Sequence, residues 1–206
     1  MELQVSAIVP LEKKKSKIEF DDGSAVLLYN GEIRRLKLEE GCIVTDSLYQ
    51  TIMHEILGNR AKKRAMHLLE RQERTEKQLY DKLRQSGYPE SVIEAAVAYV
   101  KSYHYIDDFR YALTYIRYHQ EKKSRRKLAM DLAAKGISKD LIEAAIEEEY
   151  AADDRKKIAE ILAKRHYSFG RADANEQRKH YQFLLRRGFQ SADILRVMKQ
   201  EAEFLE

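Results

Sequence analysis

The chain has no tryptophan, a single cysteine and only two prolines in 206 residues. One thiol, Cys42, rules out a disulfide framework within the chain and a thiolate metal site, and it fits a reducing compartment. So little proline, beside abundant Glu, Lys, Arg, Leu and Ala, favours helices over an all-β fold. No apolar run approaches the ~20 residues of a membrane span. The opening "MELQVSAIVPLEKKK" lacks the basic, apolar, small-residue order of a signal peptide. The expectation is a soluble cytoplasmic protein that makes no use of a membrane. Neither sign of charge dominates: 38 Lys and Arg face 34 Asp and Glu, a net charge of +4. That balance is only mildly in favour of an acidic partner.

Catalytic signatures are absent too. There is no Walker sequence and no G-x-G-x-x-G. His54, His67, His104, His119, His166 and His180 form no H-x-x-x-H pair, so no helical zinc site and no cofactor is expected. The acid pairs Asp107-Asp108 and Asp153-Asp154 raise metal-dependent nuclease chemistry, but each directly precedes a helical pattern, where helix capping is the better reading.

What is present falls into two styles. Within residues 1–60, two apolar runs flank Asp22-Gly23, a strong turn dipeptide. This predicts a hairpin with strands near 16–20 and 24–29, and a third strand in "VSAIV" at 5–9. Asn30 is expected to cap a short helix ending near Gly41, and Thr45 or Asp46 the next one, with Leu48, Ile52, Ile56 and Leu57 on one face. From residue 61 the apolar spacing becomes helical. Thr75 and Gln78 make a capping box, and Pro89 is expected in the first turn of a helix facing inward through Val92, Ile93, Ala96, Val97 and Val100. Ser124 and Ser138 read as further caps, and "HYSFGRADAN" as a looser stretch.

One phrase recurs: "KLRQSGY" at 82–88, "DLAAKGI" at 131–137 and "FLLRRGF" at 183–189. Aligned on Gly87, Gly136 and Gly188, the leucines 83, 132 and 184 coincide, as do Tyr88, Ile137 and Phe189, and Ile93, Ile142 and Ile194. Leu79 matches Leu128 but meets His180 in the third copy. A period of roughly fifty residues is the mark of a repeat architecture. A glycine at C′ flanked by apolar C3 and C″ residues predicts a Schellman helix stop. The fold expected is mainly α: three tandem three-helix repeats in an elongated curved array, behind a small N-terminal β-hairpin and α segment. The boundaries expected are 1–60, 61–106, 107–152 and 153–206.

Function is sought in the basic clusters. "RYHQEKKSRRK" carries Arg117, Lys122, Lys123, Arg125, Arg126 and Lys127 against one acid, Glu121, and the helix start after Ser124 adds backbone donors. A second cluster holds Arg178, Lys179, Arg186 and Arg187. These are the candidate contacts to a partner protein or to DNA. Lys62, Lys63 and Arg64 form a third group. Tyr111, Tyr115 and Tyr118, three or four residues apart, are expected to share a helix face. The acidic "IEAAIEEEYAADD" that follows gives alternating charge, which suits a protein partner at least as well as a phosphate backbone.

These segments resemble the RecX-type regulatory proteins. "RQERTEKQLYDKLRQSGY" looks like that family's opening repeat. "YHYIDDFRYALTYI" is similar to its central signature, "SRRKLAMDLAAKGI" to its basic helix and "YQFLLRRGF" to its final repeat. The chain departs from the family pattern at Lys122-Lys123, where a glycine is common, and at His119, where an arginine is common. The resemblance implies a non-enzymatic regulator that binds the filament of the RecA recombinase on DNA. It would inhibit the ATPase and strand exchange, and so modulate recombination and DNA repair. The alternative is a helical-repeat module that binds single- or double-stranded DNA directly. Nothing in the sequence demands a dimer, and a monomer is expected.

Overall fold

The computed structural model describes residues 2–12, 14–150, 153–168 and 171–203. The chain forms two compact units, Met1–Asp107 and Asp108–Glu206.

In the first unit, strands β1 (Leu3–Leu11), β2 (Lys15–Phe20), β3 (Ala25–Tyr29) and β4 (Ile43–Val44) form an antiparallel sheet in the order β3-β2-β1-β4. The turn between β2 and β3 is held by Asp22, whose carboxylate accepts from the Ser24 amide at 2.8 Å, while Gly23 takes φ +82°. Alternation then turns Ile18, Phe20, Val26 and Leu28 inward. The three strands read from sequence are present. β4 is an addition, too short to show a period in the sequence.

Two helix ends differ from expectation. Asn30 does not cap α1 (Asn30–Leu36): Tyr29 stands at the N-cap, and Glu32 reaches back to accept from the Tyr29 amide at 2.7 Å. The Asn30 side chain instead accepts from the Ser16 hydroxyl at 3.0 Å. α1 stops at Lys37, which takes the left-handed conformation itself, well before Gly41. Thr45 caps α2 (Asp46–Gln50) as one of the two residues expected. α2 continues through a π-helical stretch, Thr51–Gly58, into α3 (Asn59–Arg71). Then follow α4 (Glu76–Gln85), started by the Thr75–Gln78 capping box, and α5 (Glu90–Ser102), with Pro89 one position earlier than expected, at the N-cap.

A single core joins the sheet to these helices: Ile18 and Leu28 lie fully buried with Ile52, Leu57, Leu79, Leu83 and Ile93. Arg60 clips the edge of this core. Its guanidinium donates to the Leu27 carbonyl at 3.1 Å, pairs with Glu32 and lies over the Tyr29 ring.

The second unit contains α6 (Asp108–His119), α7 (Arg125–Ala134) and α8 (Lys139–Glu149), then α9 (Asp154–Lys164), α10 (Ala174–Arg186) and α11 (Ser191–Glu203). Ser124, Ser138, Asp153 and Asp173 cap α7, α8, α9 and α10. Ile116, Leu128, Leu132 and Ile142 fill one cluster, and Ile158, Leu162, Leu184, Phe189 and Ile194 the next. Of the loose stretch after α9, Phe169 and Gly170 lie outside the described residues.

All three copies of the recurring phrase end their helix on a left-handed glycine, and two of them show both bonds of the stop it predicts. In the second and third copies the C″ amide reaches back to the C3 carbonyl, Ile137 to Leu132 and Phe189 to Leu184, both at 3.3 Å. The C′ amides of Gly136 and Gly188 bond Ala133 and Leu185, completing the Schellman pair. Gly188 does something more. A β-carbon there would fall 2.5 Å from Lys127 Cβ and 2.7 Å from the Ser124 hydroxyl. The third copy's stop is thus pressed onto the start of α7, where Ser124 N–H also donates to the Arg187 carbonyl at 3.1 Å. Gly87 also lies close to another element, but there a β-carbon would meet the movable tip of the Leu27 side chain of β3.

Candidate binding site

The basic stretch before α7 divides by what each side chain touches. Asp131 gathers part of it. Lys127, one turn away on α7, reaches one carboxylate oxygen at 2.8 Å, and Lys123 reaches the other at 2.9 Å. The Tyr115 hydroxyl donates to that second oxygen at 3.1 Å and accepts from Lys123 at 2.8 Å. Burial opposes ionisation of Asp131, but these hydrogen bonds outweigh it and hold its carboxyl down at about 2. Burial likewise works against the charge of Lys123, and the same bonds carry its pKa upward. Both lysines are therefore committed within the fold. Arg117 is committed as well, in a two-pronged bond to Glu149 with both contacts at 2.8 Å.

The tyrosines separate. Tyr111 and Tyr115 stack with nearly parallel rings under Lys135, and His119 packs tilted against Tyr115, ring centres 4.3 Å apart. Tyr118 does not join them: it is 77% exposed. Three residues from Tyr115 it has turned past the edge of the packed face.

Arg125 and Arg126 are left exposed in the first turn of α7. Ser124 orients that turn, its buried hydroxyl accepting from the Lys127 amide at 3.1 Å. The two arginines border a groove of about 600 Å³ whose floor includes Ala129, Met130, Ala133, Ile142 and Ile146. Met130 is 57% exposed. Lys139 adds a cation to the rim, while Glu143 and Asp154 oppose it. Arg178, Lys179 and Arg186 project from α10 as exposed residues.

Lys122 and Arg187 belong to a second, more polar cavity. Arg187 donates to the Lys122 carbonyl at 3.1 Å and lies 4.2 Å from the Phe183 ring centre. Burial, and then the neighbouring Arg165, push the Arg187 pKa down. Sequence reasoning missed the α9 cations that share this cavity, Lys156, Lys157 and Lys164. The available signal was a lysine directly beside Ile158 on the apolar stripe of α9.

Repeats joined by capped helix stops define a helical-repeat protein; no helix of the described residues is long and apolar enough to cross a membrane. The chain belongs to the RecX family of regulatory proteins: the family profiles for the first, second and third three-helix RecX domains match residues 61–99, 107–146 and 153–198. A regulatory protein RecX of Caldanaerobacter subterraneus subsp. tengcongensis is 30% identical over 94% of this chain and 98% of its own length. One of Clostridium acetobutylicum is 28% identical over 95% of each chain. The crystal structure of RecX from Lactobacillus salivarius is 27% identical and superposes with a TM-score of 0.57 over 71% of this chain and 97% of its own. Another crystal structure of a regulatory protein RecX, 24% identical, matches in fold with a TM-score of 0.58 over 96% of this chain and 99% of its own.

Proposed function

We propose that this protein regulates the RecA recombinase without chemistry of its own, by binding the recombinase filament on DNA and inhibiting its ATPase and strand exchange. Membership of a regulatory family supports the general role. The observation that favours a protein partner is the groove beside α7, where exposed Arg125 and Arg126 flank an apolar floor with Met130 at its surface. Arginine and methionine around a desolvated centre are the composition of a protein interface. A surface that only tracks phosphates needs the cations but not the floor. Arg178, Lys179 and Arg186 would supply further contacts, and several modest contacts on one chain reinforce one another through effective concentration. Charge steers the encounter while the apolar floor holds it.

The test is the DNA-dependent ATPase of the cognate RecA, titrated with this protein. The expected result is inhibition, with the double variant Arg125→Glu/Arg126→Glu needing at least about tenfold more protein for the same effect while its circular dichroism is unchanged. Lys123 and Lys127 are poor choices for such reversal, because each holds Asp131. No inhibition and no binding to the filament would overturn the reading. Tight binding to bare DNA that weakens steeply with salt, without RecA present, would replace it with direct nucleic-acid binding.

A further inference from the structure

Lys157 is the most unusual charge in the described part of the molecule. It lies in the second turn of α9, and only 6% of it is exposed. Its ammonium has no hydrogen-bond partner among the described residues. The compensation is indirect: the face of Tyr150, 3.9 Å from ammonium to ring centre, and the attraction of Asp154, Glu121 and Glu160, which does not outweigh burial. Lysines are almost never buried in this way unless paired, since an ammonium that leaves water needs acceptors.

The space beside it is a cavity of about 660 Å³, within the range of ligand sites. Lys122 enters from the turn between α6 and α7, Lys156 and Lys164 from α9, and Arg165 and Arg187 from the ends of α9 and α10. The two guanidinium groups each lie 4.2 Å from the centre of the same Phe183 ring. Arg165 makes a long bond to His180, and Arg187 donates to a backbone carbonyl, so neither has a carboxylate partner in these contacts. Three acids, Glu121, Asp153 and Glu160, also line the space. Six cations therefore face three anions.

We infer that this cavity is a site for a small oxyanion of the phosphate class, a terminal phosphate or a pyrophosphate, which would give Lys157 the acceptor it lacks and Arg165 and Arg187 an anionic partner. Three observations set that class. The cationic excess calls for more than one negative charge. Planar guanidinium forks match the spacing of phosphate oxygens. The ring that could have stacked on a nucleobase, Phe183, is already covered by the two arginines, and Ile161 is the other apolar residue of the lining. A continuous DNA backbone is a poor fit for a lysine set this deep, whereas a protruding terminal group can reach it. Bound there, the anion would bridge the turn before α7 to α9 and α10, and so tie the second repeat to the third.

The site stands apart from the recombinase reading, and its test uses the full chain alone. Pyrophosphate is titrated into the protein by calorimetry, with its effect on the melting temperature followed in parallel. Binding with a rise in melting temperature is expected, weakened at least tenfold in Lys157→Met and in Arg165→Gln. Methionine keeps the stem of Lys157 and removes a buried charge, so this variant is expected to remain folded; should it not, Arg165→Gln decides alone. A single-stranded oligonucleotide with and without a 5′-phosphate separates the two sources of such a group: displacement of pyrophosphate by the phosphorylated strand alone assigns a nucleic-acid end, displacement by neither strand assigns a free anion, and equal displacement by both overturns the inference in favour of a backbone site. No pyrophosphate binding at millimolar concentration, or binding unchanged by both substitutions, overturns the inference. Neither result bears on inhibition of RecA.

Discussion

His180 shows how one residue can make a repeat conditional. Its counterparts in the other copies, Leu79 and Leu128, are wholly buried, and His180 is only 7% exposed. Burial, then repulsion from Arg165, lowers its pKa against the weaker pull of Glu176. Arg165 donates to its Nδ1 at 3.4 Å, a contact that requires the neutral ring, which is tilted against Tyr167. Above the unfolded pKa of 6.5 the ring is neutral in both states. Below it the unfolded chain takes a proton that the folded site resists, so stability falls with pH. His180→Leu should stabilise the protein by about 1 kcal/mol at pH 7 through added apolar burial, and the gap over wild type should widen between pH 7 and 5 in denaturant titrations. A constant gap would show that His180 does not titrate in this way, whatever His119, also lowered, adds to both proteins. The substitution itself was legible from the alignment of repeats. Its consequence was not, because it depends on Arg165, which reaches His180 from the end of a different helix.

At the scale of elements, the glycine of the repeated phrase has two tasks, and the sequence discloses one. Leucine, glycine and a large apolar residue spell out a Schellman stop, because those positions depend only on local backbone geometry. Close approach of a second element leaves no letter of its own: a glycine needed for φ and a glycine needed for space look alike. The difference is measurable. Gly41, at φ +83° with nothing within 4 Å of an added β-carbon, should lose about 1 kcal/mol on substitution by alanine, from backbone strain alone. Gly188, at φ +86°, would in addition drive a methyl into Lys127 and the Ser124 hydroxyl that caps α7. Gly188→Ala should therefore cost about 3 kcal/mol, read as a loss of thermal stability well beyond that of Gly41→Ala. Equal losses would mean that the contact with α7 contributes nothing. The same distinction separates the basic residues. Lys127 and Asp131 are four apart, a pairing visible in the sequence, whereas Lys123 joins them through a turn whose path the sequence does not reveal. Arg125 and Arg126 remain outward because the cap at Ser124 sets the phase of α7.

On the scale of the whole molecule, the main question is where the first independent folding unit ends. Composition changes at residue 60, which by itself predicts a boundary there. The apolar contacts run across it. Ile18 and Leu28 from the sheet share one core with Ile52, Leu79, Leu83 and Ile93, and Arg60 ties β3 to the helix that opens the first repeat. Strand alternation and helical periodicity each report which residues face inward, but neither says that the two inward faces meet. A fragment of residues 1–107 carries all of these partners and should fold alone, with a mixed α/β circular dichroism spectrum and one cooperative melt. Residues 1–60 alone would leave Ile18 and Leu28 without the helices that cover them, and should show no cooperative transition. Should 1–60 melt cooperatively by itself, the sheet would be an appended domain, and its deletion would leave the repeats intact. Should it fail to, as the shared core predicts, deleting it would expose Leu79 and Leu83 and unfold the first repeat. Loss of the proposed RecA inhibition in such a truncation would then report a lost scaffold rather than a lost contact.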